Sequence, residues 1–163
     1  MARDATARLY DVDDNTFSFK KFNKTKKYDL GTISFQAKPG KLIPIDQIHE
    51  SIWATRLSGG TRSGLVKFEV TAVGKATRSN GNMVFEVSGS EDVFLIGQDS
   101  DLESEDGGRP VFAQLLQAME KGQSVTSVTG RLEGWKGRWP TVLRQLPPKP
   151  RRILVSEFTT ESP

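Results

Sequence analysis

Leu65-Val66-Lys67-Phe68-Glu69-Val70-Thr71-Ala72 is answered a few residues later by Ser79-Asn80-Gly81-Asn82-Met83-Val84-Phe85-Glu86-Val87. In the first run Val66, Phe68, Val70 and Ala72 alternate with Lys67, Glu69 and Thr71. Successive side chains of a strand point to opposite faces, so this spacing predicts a strand with one buried face. In the second run Asn and Gly tolerate the positive φ angles of a two-residue hairpin turn. Met83, Phe85 and Val87 then alternate on the way back. Gly89-Ser90 turns the chain again, and Val93–Ile96 reads as a short apolar strand.

Downstream, Pro110–Lys121 carries Phe112, Leu115, Leu116 and Met119 at helical spacing, with proline in the first turn and Gly122 as the stop. Ser124–Leu132 is a further strand whose buried face changes near Ser127, which predicts a bulge or sharp bend there. Ile153–Phe158 is the last strand. The order strand, strand, strand, helix, strand, strand resembles that of the OB-fold, over residues 63–159. The resemblance implies a mainly β or α+β chain: a five-stranded, partly open barrel with one helix between its strands three and four. Residues 160–163 read as a disordered tail.

The first 62 residues read as a small α+β segment. Leu9, Val12, Phe17, Phe19 and Phe22 alternate weakly around Asp13-Asp14-Asn15, which predicts a hairpin turn, and Thr32–Ala37 is a strand. Asp46–Leu57 is a helix with Asp46 as N-cap and Ile48, Ile52 and Trp53 on one face. Ser58-Gly59-Gly60 ends it, and 58–64 marks the boundary. Tyr28–Gly60, with Ile43-Pro44-Ile45 before the helix, resembles the β-β-α half of a heavy-metal-associated, ferredoxin-like domain. That family binds soft metals through Cys-x-x-Cys. This chain has no cysteine, so the metal chemistry is absent, as are disulfides and thiol nucleophiles.

Charge is nearly balanced in total but segregated along the chain. Lys20, Lys21, Lys24, Lys26 and Lys27 form one basic run. Residues 131–152 carry seven Lys or Arg against one Glu, whereas residues 86–106 carry eight carboxylates and no Lys or Arg. This pattern predicts a positive and a negative side. No apolar run approaches the ~20 residues that span a bilayer. The N-terminal residues lack the apolar core of a signal peptide. The expectation is a cytoplasmic protein without membrane contact.

Gly134–Arg152 holds two of the three tryptophans, four of the eight prolines and no acid. In an OB-fold the connection between the last two strands is one of two loops that embrace oligonucleotides or sugars. Single-strand binding needs cations for phosphates and flat aromatic faces for bases. Lys136, Arg138, Arg144, Lys149, Arg151 and Arg152 supply the first, and Trp135 and Trp139 the second. Tyr10, Phe17, Phe19 and the lysine run extend this track if the N-terminal hairpin lies alongside. The competing expectation is that the tryptophans are lids on the barrel and the prolines stiffen a strap. The module is then structural or binds a protein partner, as an accessory to a metal-handling or envelope system.

Other candidates carry less. Asp99-x-Asp101-x-Glu103-x-Glu105 has alternating oxygen ligands, but Ser104 and Pro110 stand where a calcium loop needs Gly and Glu. A solvated loop is the expectation there. Gly59–Gly64 begins like a phosphate-binding loop, with Leu65 in place of the lysine. His49, the only histidine, has no nucleophile motif to serve and reads as structural. The sequence thus predicts a non-catalytic binding module with no metal and no cofactor.

Overall fold

The computed structural model describes residues 12–24, 29–38, 41–56, 60, 64–101, 110–135 and 145–161. The chain divides into two compact units, Met1–Leu65 and Val66–Pro163.

In the second unit the alternating run forms β3, Glu69–Ser79, and the Asn-Gly turn leads into β4, Asn82–Val87. Asn80 and Gly81 both adopt positive φ, as the turn requires. Then follow β5, Val93–Gln98, the helix α2, Val111–Glu120, the strand β6, Ser124–Leu132, and finally β7, Arg152–Glu161. The five strands form a closed ring in the order β3-β4-β5-β7-β6. Only β5 and β7 pair in parallel; the other pairs are antiparallel. The sheet is therefore mixed. In the chain's own count α2 stands between the fifth and sixth strands, because two strands of the first unit precede the ring. β7 takes in Thr160 and Glu161, paired with Val125 and Ser124, where a tail was expected.

Every strand of the ring serves two neighbours, and β3 does so with successive halves of its length. Glu69–Val73 pair with β6, and Gly74–Ser79 pair with β4. At the changeover a Cβ on Gly74 would fall on the carbonyl oxygen of Glu86. The same closeness recurs where β6 meets β7, since a Cβ on Gly130 would fall on the carbonyl oxygen of Leu154. Glycine is needed at both places for steric reasons. The β6–β7 register slips between Val125 and Ser127, where the sequence predicted a bulge, and again between Thr129 and Gly130. The slip lets Val125 and Val128 both be buried although three residues apart.

Inside the ring, small residues on β3 (Ala72, Ala76) accompany large ones elsewhere: Met83 and Phe85 on β4, Leu132 on β6, Ile153 and Val155 on β7. α2 packs against β5, β6 and β7, with Leu115 fully buried and Ala118 nearly so.

In the first unit, β1, Val12–Lys24, and β2, Asp29–Ala37, form a two-stranded antiparallel sheet. Asp13-Asp14-Asn15 is not the turn. β1 runs through it, and the register slips between Asp13 and Ser18. Thr16 Oγ1 donates to the Asp13 carbonyl at 2.7 Å and accepts the Gln36 N–H at 2.8 Å. These local bonds satisfy the backbone of an irregular strand, so the Asp-Asp-Asn signal produces a bulge rather than a reversal. The helix α1, Ile45–Ala54, starts at Pro44 without a side-chain cap. Asp46 lies in its first turn, where a carboxylate favours the helix dipole. Thr55 is extended, so the helix ends before the expected Leu57. Ile45, Ile48 and His49 are its buried residues. Among the described residues no helix is long and apolar enough to cross a membrane.

Gly130→Ala is expected to destabilise the second unit by about 3 kcal/mol, the upper end for overpacking, because its obstacle is a carbonyl of the neighbouring strand. Urea denaturation reads this directly, and a wild-type midpoint for the variant would refute the steric account.

Candidate functional site at the β6–β7 connection

The connection between β6 and β7 leaves and re-enters the ring at adjacent points. Three backbone hydrogen bonds gather that end of the ring. The Leu132 N–H donates to the Phe68 carbonyl at 2.7 Å, Glu133 N–H to Arg152 at 2.9 Å and Leu95 N–H to Arg151 at 2.8 Å. The Glu133–Arg152 bond makes residues 134–151 a loop tied at its base.

Both feet of this loop are anchored. Trp135 is 1% exposed, and its ring tilts against Phe68 with centroids 5.6 Å apart and planes at 59°. This is the tilted geometry that aromatic quadrupoles favour. Trp135 was expected to offer a stacking face to a base; its ring instead closes this end of the ring's core. Gly134, with a φ of 107°, supplies the backbone reversal that turns the indole inward. At the other foot Arg151 is buried, and its Nε–H donates to the Pro147 carbonyl at 3.2 Å. Arg151 was expected on the phosphate track. A buried cation must be hydrogen-bonded, and this one serves the loop's own backbone.

Of the remaining expected site residues, Lys149 is exposed, between Pro148 and Pro150. Arg152 is half-buried, and its Nη1 lies 3.4 Å from Glu133 Oε2. Lys136, Arg138, Trp139 and Arg144 lie outside the described residues, as do Tyr10, Lys26 and Lys27.

A cluster that the sequence did not announce braces the first foot. Arg131 Nε donates to Asp99 Oδ2 at 2.7 Å and Nη2 to Asp99 Oδ1 at 2.7 Å. Nη2 also reaches Asp101 Oδ2 at 2.9 Å, and Nη1 donates to the Trp135 carbonyl at 3.2 Å. One guanidinium thus ties the end of β5 to the foot of the loop, using a bidentate fork on a carboxylate. Asp99 is 6% exposed, so its acidic stretch is not simply solvated, as expected, but begins as a buried ion pair. Hydrogen bonding from Arg131 holds the Asp99 carboxyl below the ordinary carboxylate range, against the opposing effect of burial. The same bonds push Arg131 above the usual arginine range. The only sequence signal was a lone arginine on a strand and an acid-rich segment far from it in the chain; the fold supplies the pairing.

With Asp99 and Asp101 both engaged by Arg131, the calcium-like spacing offers no free pair of ligands at its start. No group of three or more metal-ligating side chains occurs among the described residues. His49 is buried in α1. No protein-family model, curated protein or solved structure matches the chain.

The depressed carboxyl fixes a pH dependence. A group with a lowered folded pKa adds stability above its unfolded value and loses it as pH falls through the folded one. The destabilisation caused by Asp99→Asn is therefore expected to be full at pH 7 and to shrink below about pH 4, the ordinary aspartate value. Thermal unfolding of both proteins between pH 7 and 2.5 measures it; a difference that does not change with pH would count against the ion pair. Arg131 stays charged throughout that window. Separately, Trp135→Ala is expected to cost about 3–5 kcal/mol, as for other large core aromatics, and to remove a blue-shifted component of the emission. A red-shifted, exposed indole at position 135 would contradict its burial.

Proposed function

We propose that the second unit is an OB-like, non-catalytic binding module, and that its β6–β7 connection presents cations to single-stranded nucleic acid. The support for the OB-like reading is the strand order β3-β4-β5-β7-β6, the lone parallel β5–β7 pair, and a helix packed on three strands. The observation that carries the binding reading is the anchoring of both feet of a basic loop. Trp135 and Arg151 are committed to the interior, and between them lie Lys136, Arg138, Arg144 and Lys149 with no acid. A loop held at both ends loses less conformational entropy when it engages a ligand. Trp135 serves as the anchor, and the stacking role is assigned to Trp139, the other aromatic residue of the loop in sequence.

Binding is expected to fall with salt, with a slope near −0.7 per neutralised phosphate on a single strand. Replacing Lys136, Arg138, Arg144 and Lys149 with glutamine should flatten that slope by about 3, and Trp139→Ala should weaken binding by about 1–3 kcal/mol. Fluorescence titration with a short oligonucleotide at low salt measures both. No binding at tens of micromolar would sink the proposal.

A second reading draws on the same burial. With Trp135 as a lid and four prolines along the loop, the connection is a structural strap or a rigid protein-binding edge. On that reading the emission of the protein is indifferent to nucleic acid.

A further inference from the structure

We propose that Asn80, at the tip of the β3–β4 hairpin, is a site of covalent modification by water. Its carboxamide is converted to aspartate and isoaspartate through attack by the backbone nitrogen of Gly81. This does not rest on the function proposed for the β6–β7 loop.

Of the four asparagines in the chain, Asn80 alone precedes a glycine. Both residues are exposed, with φ of 50° at Asn80 and 78° at Gly81. These are the positive angles of a two-residue hairpin loop. The last pair of the ladder is Ser79 with Asn82, so the peptide joining Asn80 to Gly81 lies beyond it. A Cβ built on Gly81 would meet nothing within 4 Å. The attacking nitrogen is therefore open to water, and no side chain of its own residue shields it.

The conversion consumes only water. Hydroxide removes the Gly81 N–H proton, and the nitrogen attacks Asn80 Cγ. The new C–N bond closes a cyclic imide, the Cγ–Nδ2 bond breaks, and ammonia leaves with a proton from water. A second water opens the imide at either of its carbonyls. One opening gives aspartate; the other gives isoaspartate, with Cβ in the main chain. Imide formation needs rotation about the Asn80 Cα–C bond, which the closed hairpin resists. The reaction therefore proceeds from local openings of the turn, and the folded chain reacts more slowly than the unfolded one.

The two products act differently on the ring. Asp-Gly suits the same turn as Asn-Gly. Isoaspartate lengthens the main chain of the loop by a methylene, and loop length sets hairpin register. The register concerned runs from Ser79 opposite Asn82 to Gly74 opposite Val87. The rest of β3 pairs with β6, so a disturbed hairpin weakens ring closure. Either product lowers the formal net charge of +3 by one.

The test incubates the full chain at neutral and at mildly alkaline pH. Ion exchange separates the products, and peptide mass spectrometry places the change in the sequence. A more acidic species is expected to accumulate, faster at the higher pH, with acid replacing amide at position 80. Asn82 is the internal control, since it is exposed in the same hairpin but precedes Met83. It is expected to stay intact over the same interval. N80G retains a compatible Gly-Gly turn and should lose the acidic species. N80D should unfold in urea as wild type does, whereas the isoaspartyl fraction should unfold at lower urea. If N80G does not fold, the position-resolved spectrum of wild type decides alone. The proposal is overturned by an Asn80 that stays an amide, by Asn82 reacting as fast as Asn80, or by a folded N80G that forms the acidic species at the wild-type rate.

Discussion

The close approach of β6 to β7 at Gly130 is the constraint from which the second unit follows. There a strand carbonyl occupies the space of a side chain. That contact lets β7 lie between β6 and β5, which in turn lets a mixed set of five strands close on itself. Closure fixes where the ends of β6 and β7 emerge, side by side at one end of the ring. A loop that starts and finishes there must be tied at its base, and Trp135 and Arg151 become its anchors because the core is within reach at both points.

Arg131 shows how polar groups complete this arrangement. It sits one residue beyond the critical glycine, and its guanidinium spans from Asp99 to the Trp135 carbonyl. A buried carboxylate is tolerated because a fixed cation satisfies both of its oxygens. The same fork stops the chain after β5 from drifting away from the foot of the loop. Packing of the indole and the ion pair therefore reinforce one another across different elements.

The strands of the second unit were legible because one-sided burial writes itself as alternation, and Asn80-Gly81 has few other conformational uses. Even the irregularity near Ser127 could be read, since the buried face visibly changes phase there. Asp13-Asp14-Asn15 was misread as a turn because the same residues that favour turns also favour bulges, and only pairing with Gln36 distinguishes them. At the candidate site, composition located the loop but not the direction of its side chains. Trp135 and Arg151 have the chemistry of ligands, and nothing local says that tertiary closure turns them inward. The Asp99–Arg131 pair was invisible for a similar reason: its partners are distant in sequence, and each alone looks like a surface charge.

A loop whose base is clamped has a further property. For a flexible connection each doubling of length costs only about 0.6 kcal/mol in closure entropy. Glu133, Trp135, Arg151 and Arg152 hold the base, so the ends of the connection stay on the ring whatever its length. On that estimate, lengthening or shortening the interval between the two feet costs the ring little. The clamp thus makes the two feet of the connection, and not the length of chain between them, the part on which the ring depends.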